Sequence, residues 1–548
     1  MPRLSTLFPI GLGFALISAP ACGEELAKLP LKGDAREHIG KSFAVDVEGV
    51  AIQSEGARFD ALERAIRLTP RDDAGRELGR GDFTLALTLD LPANAGPITG
   101  DLIGRFDPAR RAGFLLSLES GAGATNSQSN LHQLQFGIDA GTEPRLIDIG
   151  RPGKAVYVMG LVAHAGSLYA ATCEPGDTEA GRVYRHDGGE RWVDLGPLDA
   201  ANAVTALAVH QGRLIAGTGR YRLAGSSLPE SRNPNLGGRL FQLDPDRGWT
   251  EIGALPGVEA VGGLLSFQGT LYASSLYRPA GFFRYEGERR WVAETLPADG
   301  RRVVALGVHR GRIHAGSYDA CAVYRREGDR WLPLGELEAS GQTYSFETHE
   351  GRLHVGTWPN GRVFRLEPDG RFASAGRLGA ELEVMGLAMH NGKLYGGTLP
   401  LAEIHRFESG ERWTRIGRVD TTPDVKYRRA WATATYQGRL CFGTLPSGRV
   451  VALEAGKAIS DDHELAPGRR RILARRRGGD LALFVDGRRV ARVESPEIAR
   501  LDLRNDRPVE IGSGPIGPIS GTISDVSIFD HALDDDAVAA DARAFATR

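Results

Sequence analysis

The sequence predicts an all-β protein, and three observations support that prediction. One unit recurs seven times: an apolar alternation runs into a His, Phe or Tyr, a Gly follows two positions later, and a second alternating run begins. This pattern is typical of two strands joined by a tight turn. The segments on either side of the repeats also alternate apolar and polar residues in short runs, and the 72 glycines suit a chain with many turns. The aromatic or His positions of the copies are His164, His210, Phe267, His309, His349, His390 and Tyr436.

The second half of each copy adds two further strands, as in GRVYRHDGGERWVDLG at residues 181–196. Four strands in about 40 residues, repeated, predict the blades of a β-propeller. We therefore expect seven blades over residues 144–463. Most copies place a Trp at the start of the fourth strand, where we expect it to pack within the blade. These residues are Trp192, Trp249, Trp291, Trp331 and Trp413.

The last copy, at residues 448–463, lacks the strand that carries the Trp. The segment PRLIDIG at residues 144–150 matches the blade ending RWVDLG of the first copy. We expect this earlier segment to supply the outer strand of the last blade, because a closed ring leaves no exposed strand edges.

The turn before the Trp often reads D/E-x-G-x-x-W, as in DGGERW at residues 187–192. It resembles the Asp-box turn of sialidases and other secreted propellers and, more loosely, the kelch repeat. The full Asp box has a Ser two positions before the Asp, which none of these copies has. The resemblance therefore supports a propeller and not sialidase activity.

The two flanks resemble one further family. GTISDVSIFDHALDDDAVAA at residues 521–540 is similar to the last strand and trailing helix of laminin-G/concanavalin A-like domains, and GDFTLALTLDL at 81–91 to an early strand of that fold. The resemblance implies one laminin-G-like sandwich, with its first half at 43–140 and its second half, ending in a C-terminal helix, at 464–548. The propeller would be inserted between the halves. The alternative of three consecutive domains leaves both flanks incomplete.

Residues 1–21 have the pattern of a secretory signal peptide, with an apolar run and a small-residue ending before Cys22. We expect export to the periplasm or the cell exterior, and a lipid anchor on Cys22 is the alternative. The later sequence contains no run long enough to predict a membrane span. Cys173, Cys321 and Cys441 are expected to be free thiols, although a disulfide between them stays open, and no spacing indicates zinc.

Function is expected on the variable loops at the end of the ring opposite the His-x-Gly turns. Five of the copies have a His at the turn. These histidines would be distributed around the ring and so could not converge on one substrate. The loops instead carry aromatic residues beside Arg, a combination that can stack on a sugar and bind a carboxylate. The predicted ligand-binding residues are Arg220, Tyr221, Tyr277, Arg278, Tyr318, Asp319, Trp358, Asn360, Glu403, Arg428 and Trp431.

No catalytic residue is assigned. Hydrolysis of a glycoside usually needs two nearby carboxyl groups, and the loop-borne acids Glu174, Asp319, Glu383 and Glu403 have no spacing that pairs them. The motifs of serine hydrolases, P-loop proteins, dinucleotide-binding proteins and zinc proteases are absent. Laminin-G-like domains often bind calcium, but no motif here matches its ligands, so no metal site is predicted.

Three hypotheses of function follow. The first is a secreted, non-catalytic glycan-binding protein. The second is a sialidase-like or polysaccharide-lyase-like enzyme, and the third is a scaffold or adhesin that binds an extracellular protein. A formal charge of −2 gives no reason to expect nucleic acid as a partner. Arginines at 469–471 and 475–477 could form a basic strip for acidic polysaccharide, although a strand face balanced by acidic neighbours is the favoured interpretation. Oligomeric state is not predicted.

Overall fold

A computed structural model describes residues 24–33, 42–60, 64–121 and 128–547. The proposed signal peptide and Cys22 lie outside these residues. The described chain consists mainly of antiparallel β-strands, which confirms the all-β prediction.

The first part of the described chain contains nine strands and one short helix. They are β1 (Glu25–Leu29), β2 (Phe43–Glu48), β3 (Ala51–Ile52), β4 (Ala57–Asp60), β5 (Ala65–Pro70), α1 (Asp73–Glu77), β6 (Phe83–Leu91), β7 (Gly100–Asp107), β8 (Ala112–Glu119) and β9 (Gln133–Ala140).

The repeat region begins with one lone strand and continues as hairpins. Its strands are β10 (Arg145–Asp148), β11 (Tyr157–His164), β12 (Ser167–Cys173), β13 (Arg182–His186), β14 (Trp192–Pro197), β15 (Ala203–His210), β16 (Arg213–Gly219), β17 (Arg239–Asp244), β18 (Gly248–Ala254), β19 (Val261–Phe267), β20 (Thr270–Ser275), β21 (Phe282–Tyr285), β22 (Trp291–Ala293), β23 (Ala305–His309), β24 (Arg312–Gly316), β25 (Ala322–Glu327), β26 (Arg330–Glu336), β27 (Gln342–His349), β28 (Arg352–Trp358), β29 (Arg362–Leu366), β30 (Phe372–Arg377), β31 (Glu383–His390), β32 (Lys393–Leu399), β33 (Glu403–Ser409), β34 (Arg412–Arg418), β35 (Arg429–Tyr436), β36 (Arg439–Leu445) and β37 (Val450–Glu454).

The last part of the chain returns to the sheets of the first part. It contains β38 (Lys457–Ser460), β39 (Gly468–Arg477), β40 (Asp480–Val485), β41 (Arg488–Glu494), β42 (Val509–Ile511), β43 (Ser520–Phe529) and α2 (Asp535–Ala546). Strands β40 and β41 form a hairpin, in which Asp486 and Gly487 both have positive φ, as a two-residue turn of this kind requires.

Strands from the two ends of the chain form two sheets together. One sheet has the order β3-β4-β43-β6-β39-β40-β41, with β1 also paired to β43, and the other has the order β2-β5-β42-β7-β8-β9-β38. Side chains such as Phe83, Phe114, Phe136, Ile472 and Ile523 form one buried apolar core with residues of both ends. We call these two sheets the sandwich.

Two boundaries differ from the sequence prediction. The prediction began the sandwich at Phe43, but β1 pairs with β43, so residues from Glu25 onward belong to it. It also ended the propeller at His463, whereas β38 pairs with β9 of the sandwich. The apolar side chain of Ile459 explains this second difference, because it packs into the sandwich core.

The repeats form a β-propeller, as predicted. Strands β19 to β34 make four separate four-stranded sheets, and β11 to β18 make an eight-stranded sheet in which two meanders are joined through the pair Cys173–Ala203. Strand β10 pairs with β37 over Arg145–Glu454 to Asp148–Val451, so the expected strand from before the first copy completes the last sheet. The first strands contact one another in a closed cycle: β11, β15, β19, β23, β27, β31, β35 and β11 again.

The His-x-Gly turns have a common backbone geometry. The residue before each Gly has a φ between 44° and 50°, and the Gly itself has positive φ in every copy. Two consecutive residues of positive φ are the signature of the hairpin turn that matches strand twist. The middle residues of these turns are Ala165, Gln211, Gln268, Arg310, Glu350, Asn391 and Gln437.

The repeated Trp side chains join neighbouring sheets. Trp413 Nε1 donates to the Ala375 carbonyl at 2.8 Å, and Trp291 and Trp331 make the same kind of bond to the fourth-strand region of the preceding sheet. Trp192 donates to Ile149 beside β10, which carries the pattern across the ring closure. The predicted packing role is therefore confirmed, with an added hydrogen bond between sheets. Trp249 is the exception, because its buried Nε1 has no partner in the described chain.

The sandwich lies against the His-x-Gly side of the propeller. Glu350 and Gly351 donate backbone N–H groups to Pro515 and Ile516, and Asn391 Nδ2 donates to the Ile138 carbonyl at 3.1 Å. We call this contact region the seam.

The segment at residues 128–130 links four copies of the propeller to the sandwich at the seam. Gln128 bonds to Leu207 and Ser266, the Ser129 carbonyl accepts from Ala163, and Asn130 bonds reciprocally to Thr435. These partners lie on the first strands of four copies, so polar groups at this end of the channel bond to the sandwich.

The three cysteines that the structure describes are buried and free, as expected. Burial raises the pKa of the Cys321 thiol to about 11. No helix within the described ranges is long and apolar enough to span a membrane.

We expect Trp413→Phe to lower the free energy of unfolding by about 1 kcal/mol more than Trp249→Phe does, because only the first variant removes an inter-sheet hydrogen bond. Urea denaturation of both variants measures the difference. The Trp249→Phe variant is the matched control for the lost ring area, and equal losses in the two variants would show that the Trp413 hydrogen bond between sheets does not stabilise the fold.

A second expectation concerns the fully buried Asp101, whose Oδ2 accepts from the Ile516 and Gly517 N–H groups at 2.8 and 3.0 Å. Burial raises its pKa to about 7, against the two N–H groups and with a smaller contribution from Glu510. The folded protein therefore binds a proton that the unfolded chain releases near pH 4, so this group lowers stability as the pH rises from about 4 to about 7. The upper bound is about 4 kcal/mol. Asp101→Asn should remove that loss, so its stability relative to wild type should rise between pH 4 and pH 8 in urea titrations; a constant difference would show that the prediction fails.

Candidate ligand-binding site

The loops at the opposite strand ends from the seam form the candidate site. These are the connections from second to third strands and from fourth strands to the next first strands, and we call them the distal face. The His-x-Gly turns join first to second strands and contact the sandwich, so the distal face lies at the other end of the same strands.

Five aromatic rings from five different copies meet at the distal face. Tyr157 contacts Tyr221 and Trp431 at centroid distances of 5.5 and 5.7 Å, and Tyr344 contacts Trp431 and Tyr318 at 5.7 and 5.1 Å. Tyr344 lies on β27 and Trp431 on β35, which are not neighbouring first strands. Contact between them therefore places this aromatic cluster across the axis of the ring.

Arg429 lies within the aromatic cluster and is only 6% exposed. Its Nη1 donates to the Tyr221 hydroxyl at 3.1 Å, and its Nη2 lies 3.9 Å from Glu383 Oε2. The guanidinium carbon lies 5.7 Å from the centre of the Trp431 ring. Its Nε has no hydrogen-bond partner within the described residues, so a buried donor stays available.

The two charged groups influence each other's pKa. Burial raises the pKa of Glu383, and Arg429 partly offsets this effect. Burial acts to lower the pKa of Arg429, but Tyr221, Glu383 and the other tyrosines outweigh it and raise that pKa. The guanidinium is therefore a fixed positive charge among aromatic rings, with the Glu383 carboxyl group beside it, and its burial strengthens any charge-assisted bond that it makes to an anion.

A second group of charges borders the aromatic cluster. Arg302 holds Asp319 through two nitrogens, with Nη2 at 2.8 Å from Oδ1, and Arg278 Nη2 lies 3.0 Å from Oδ2 of the same carboxylate. Arg222 stacks on Tyr277 at 4.3 Å and forms an ion pair with Glu259. Four arginines and six aromatic rings thus occur at one end of the channel.

The long insertion at residues 220–237 covers part of this face. It contains a 3-10 turn at Leu223–Ser226, and Leu223 and Tyr221 both pack into the central apolar cluster. Asn233 Nδ2 donates to carbonyls of Glu179 and Ala200, so the insertion is tied to the preceding sheet.

The structure brings together six of the predicted site residues. Tyr221, Tyr318 and Trp431 belong to the aromatic cluster, and Tyr277, Arg278 and Asp319 border it.

Four other predicted residues occur on the same face outside the aromatic cluster. Trp358 is one of the most exposed large apolar side chains at 36%, Asn360 donates to the Ala339 carbonyl at 2.5 Å, and Arg428 Nε donates to the Thr422 carbonyl at 2.6 Å. Arg220 is bound through its backbone N–H to Glu259.

Glu403 differs from the expectation of a loop residue. It begins strand β33, is 7% exposed, and its Oε1 accepts from Arg415 at 2.6 Å and from Arg418 at 3.2 Å. Arg415 and Arg418 belong to the neighbouring strand β34, so Glu403 is bonded within its own sheet and not to the aromatic cluster.

Arg429 and Glu383 were absent from the predicted ligand-binding set, although they are central to the cluster. Both begin first strands, β35 and β31, where a charged residue precedes an apolar run. The sequence signal for these two residues is a charge at the same repeat position in two copies, seven residues before His390 and Tyr436.

The four acids considered for catalysis do not form a pair. Glu174 accepts from Thr172 Oγ1 at 2.9 Å, Asp319 is held by arginines, and Glu403 bonds to Arg415 and Arg418. The polar contacts of Glu383 in the described chain involve Tyr344 and Arg429 and no second carboxyl group. Within the described ranges, no three His, Cys, Asp or Glu residues are grouped so as to hold a metal ion.

The proposed basic strip is structural where it is buried. Arg471 bonds to Asp541 of α2, Arg475 to Asp535, and Arg476 to the carbonyls of Gly79, Ile498 and Leu501. These arginines attach helix and loops to the sheet, which agrees with the favoured interpretation.

No protein-family model matches the chain, and no curated protein matches it. Among solved structures, a streptogramin B lyase is similar with 12% identity and a TM-score of 0.45, over 57% of this chain and 97% of that one. A virginiamycin B lyase from Staphylococcus aureus has 10% identity and a TM-score of 0.44, over 57% and 99%. The WD40 β-propeller domain of Doa1 has 10% identity and a TM-score of 0.41, over 57% and 98%. These similarities concern the fold alone.

We expect Tyr221→Phe to destabilise the protein by about 2 kcal/mol, because the hydroxyl accepts a hydrogen bond from a buried charge. Urea denaturation measures this effect. Tyr285→Phe is the control, since the Tyr285 hydroxyl makes no hydrogen bond within the described residues and the ring is half-buried. Equal stability of the two variants would contradict the role of the hydroxyl in holding Arg429.

Proposed function

We propose that the protein is a non-catalytic binding protein whose distal face recognises a carboxylate-bearing glycan. The observation that carries the proposal is the convergence of aromatic rings and arginines from separate copies at one end of the channel. Aromatic faces suit the C–H faces of a sugar ring, and arginines suit its carboxylate. Exposed Arg278 and Trp358 are the residues that an approaching ligand would reach first.

Unpaired buried donors add support to this proposal. Arg429 Nε and Trp431 Nε1 both lack partners within the described chain. A buried donor without an acceptor costs free energy, so an acceptor-rich ligand that reaches the cluster gains by satisfying it. Enzymatic hydrolysis receives less support, because Glu383 is without a second carboxyl group among its contacts.

We further propose the finer architecture suggested by the sequence. Counting each meander of the eight-stranded sheet as one blade makes seven blades, and the cycle of first strands supports that number. The shared sheets of the two chain ends support a laminin-G-like sandwich with the propeller inserted. Export, by the segment at residues 1–21, remains part of the proposal and places glycans within reach.

The test is calorimetric titration of the full chain with oligogalacturonate and with a neutral oligosaccharide of the same length. We expect the acidic ligand to bind more tightly, and Arg278→Ala and Trp358→Ala each to weaken binding by about tenfold, as the loss of one charge-assisted bond or one stacking surface predicts.

Arg371→Ala is the matched control, because Arg371 is an exposed arginine on the turn between β29 and β30, away from the distal face. Failure of the acidic ligand to bind, or equal losses in Arg278→Ala and Arg371→Ala, would refute the proposal.

A further inference from the structure

A cleft of about 490 Å³ lies on the seam, on the opposite side of the propeller from the distal face. Four histidines from four separate segments line it: His132 before β9, His164 at the end of β11, His210 at the end of β15, and His463 between β38 and β39. The repeated histidines were expected to be distributed around the ring and so not to converge. The structure shows that two adjacent copies, together with the sandwich, bring their histidines to one cleft.

Two of the imidazoles are oriented by a partner and keep a ring nitrogen available. His132 Nε2 donates to the Gly96 carbonyl at 2.9 Å, while its Nδ1 makes no hydrogen bond in the described chain and lies 3.9 Å from Glu464 Oε1, although the residue is only 4% exposed. His463 Nδ1 bonds to buried Asp461 at 3.0 Å, which leaves Nε2 available.

The two histidines from the repeats are also available to a ligand. His210 Nδ1 bonds to Ser266 Oγ at 2.9 Å, which leaves Nε2 free of hydrogen bonds among the described residues. His164 makes no hydrogen bond through its ring within the same ranges. The His463 ring lies over Gly166 of the His164 turn, where an added Cβ would be 3.3 Å from Nε2.

The charge of the cleft restricts the ligand. Among the residues that the structure describes, no Lys or Arg lines the cleft, and Glu464, whose Oε1 lies 3.9 Å from His132 Nδ1, is its one lining carboxyl group. Burial lowers the pKa of His132, His164 and His210 and raises that of Glu464, so burial disfavours the charged form of each. A permanently charged ligand would find no fixed opposite charge here.

The rest of the lining combines apolar walls with the uncharged polar side chains Asn94, Gln211, Ser266 and Gln268, and the cleft has the volume for a small ring. Pro92, Pro97, Leu131 and Pro467 line the cleft between the imidazoles. Ligand sites typically combine such walls with a few convergent polar groups in a volume of roughly 300–1,000 Å³. Neutral imidazoles can donate and accept, which matches a hydroxyl group that does the same.

We propose that this seam cleft binds an uncharged hydroxylated ring, such as a neutral sugar unit, with its hydroxyl groups on the four imidazoles and its C–H faces against the proline and leucine walls. The site is separate from the distal face and does not depend on the function proposed there.

The experiment is saturation-transfer NMR on the full chain with neutral disaccharides (cellobiose, maltose and lactose), and with galacturonate as the charged comparison. We expect transfer to at least one neutral disaccharide, and His164→Ala and His463→Ala each to weaken its binding at least fivefold. His531→Ala is the matched control, because His531 bonds to Asp530 near the far end of the sandwich. Because His164 and His463 both line the seam cleft, loss of binding in these two variants locates the neutral ligand there and not on the distal face.

Three results would overturn the proposal. The first is the absence of saturation transfer from the folded wild-type protein to any of the neutral disaccharides. The second is binding that survives both histidine substitutions. The third is calorimetric binding of Zn²⁺ that is lost in His463→Ala without any sugar binding, which would make the cleft a metal site.

Discussion

The pairing of β10 with β37 is the constraint on which the rest of the structure depends. The chain leaves β9 of the sandwich at Ala140 and enters β10 at Arg145, and it leaves β37 at Glu454 and re-enters the sandwich as β38 at Lys457. Strands β9 and β38 are themselves paired. Both connections between sandwich and propeller are therefore short and lie side by side. The β10–β37 pair closes the ring, and the β9–β38 pair joins the two halves of the sandwich. Because the connections are short, formation of either pair brings the strands of the other pair together.

This arrangement explains why the seam is polar although it is buried. Strands β8 and β9 present polar side chains such as Glu119, Gln133 and Gln135 on the side away from the sandwich core. Gln133 bonds to the Thr435 carbonyl and to Asp462, so its amide reaches both the propeller and the segment that follows β38. Buried polar groups must find partners, and here the first strands of the propeller provide them. These directional hydrogen bonds fix the position of the sandwich on the propeller, whereas a purely apolar interface would permit several positions.

The features that recur in every copy could be predicted from the sequence, whereas features that depend on contacts between distant segments could not. Turn geometry, the Trp position and the closing strand could be inferred because each follows from a local pattern that recurs or from the need to pair an edge. The boundaries at Glu25 and Lys457 could not, since a short apolar strand such as β38 joins whichever sheet its ends can reach. The contacts of Arg429 could not be predicted for the same reason, because Tyr221 lies more than 200 residues away in the chain and no local pattern contains that contact.

The repeated histidine illustrates how one sequence position takes different roles in different copies. In a free ring all copies would be equivalent, but the sandwich covers the ring unevenly. His390 is almost fully buried and close to Tyr395, whereas His309 bonds to Thr348 on the next sheet. His164 lies where the sandwich leaves a cleft open. His463, from the segment between β38 and β39, lines the same cleft. Because the sandwich covers the ring unevenly, the repeated His has different surroundings in different copies. A ligand can reach it on this side where the seam leaves space. That is why the cleft at the seam, as well as the loops of the distal face, has to be considered when the function of a propeller of this kind is inferred.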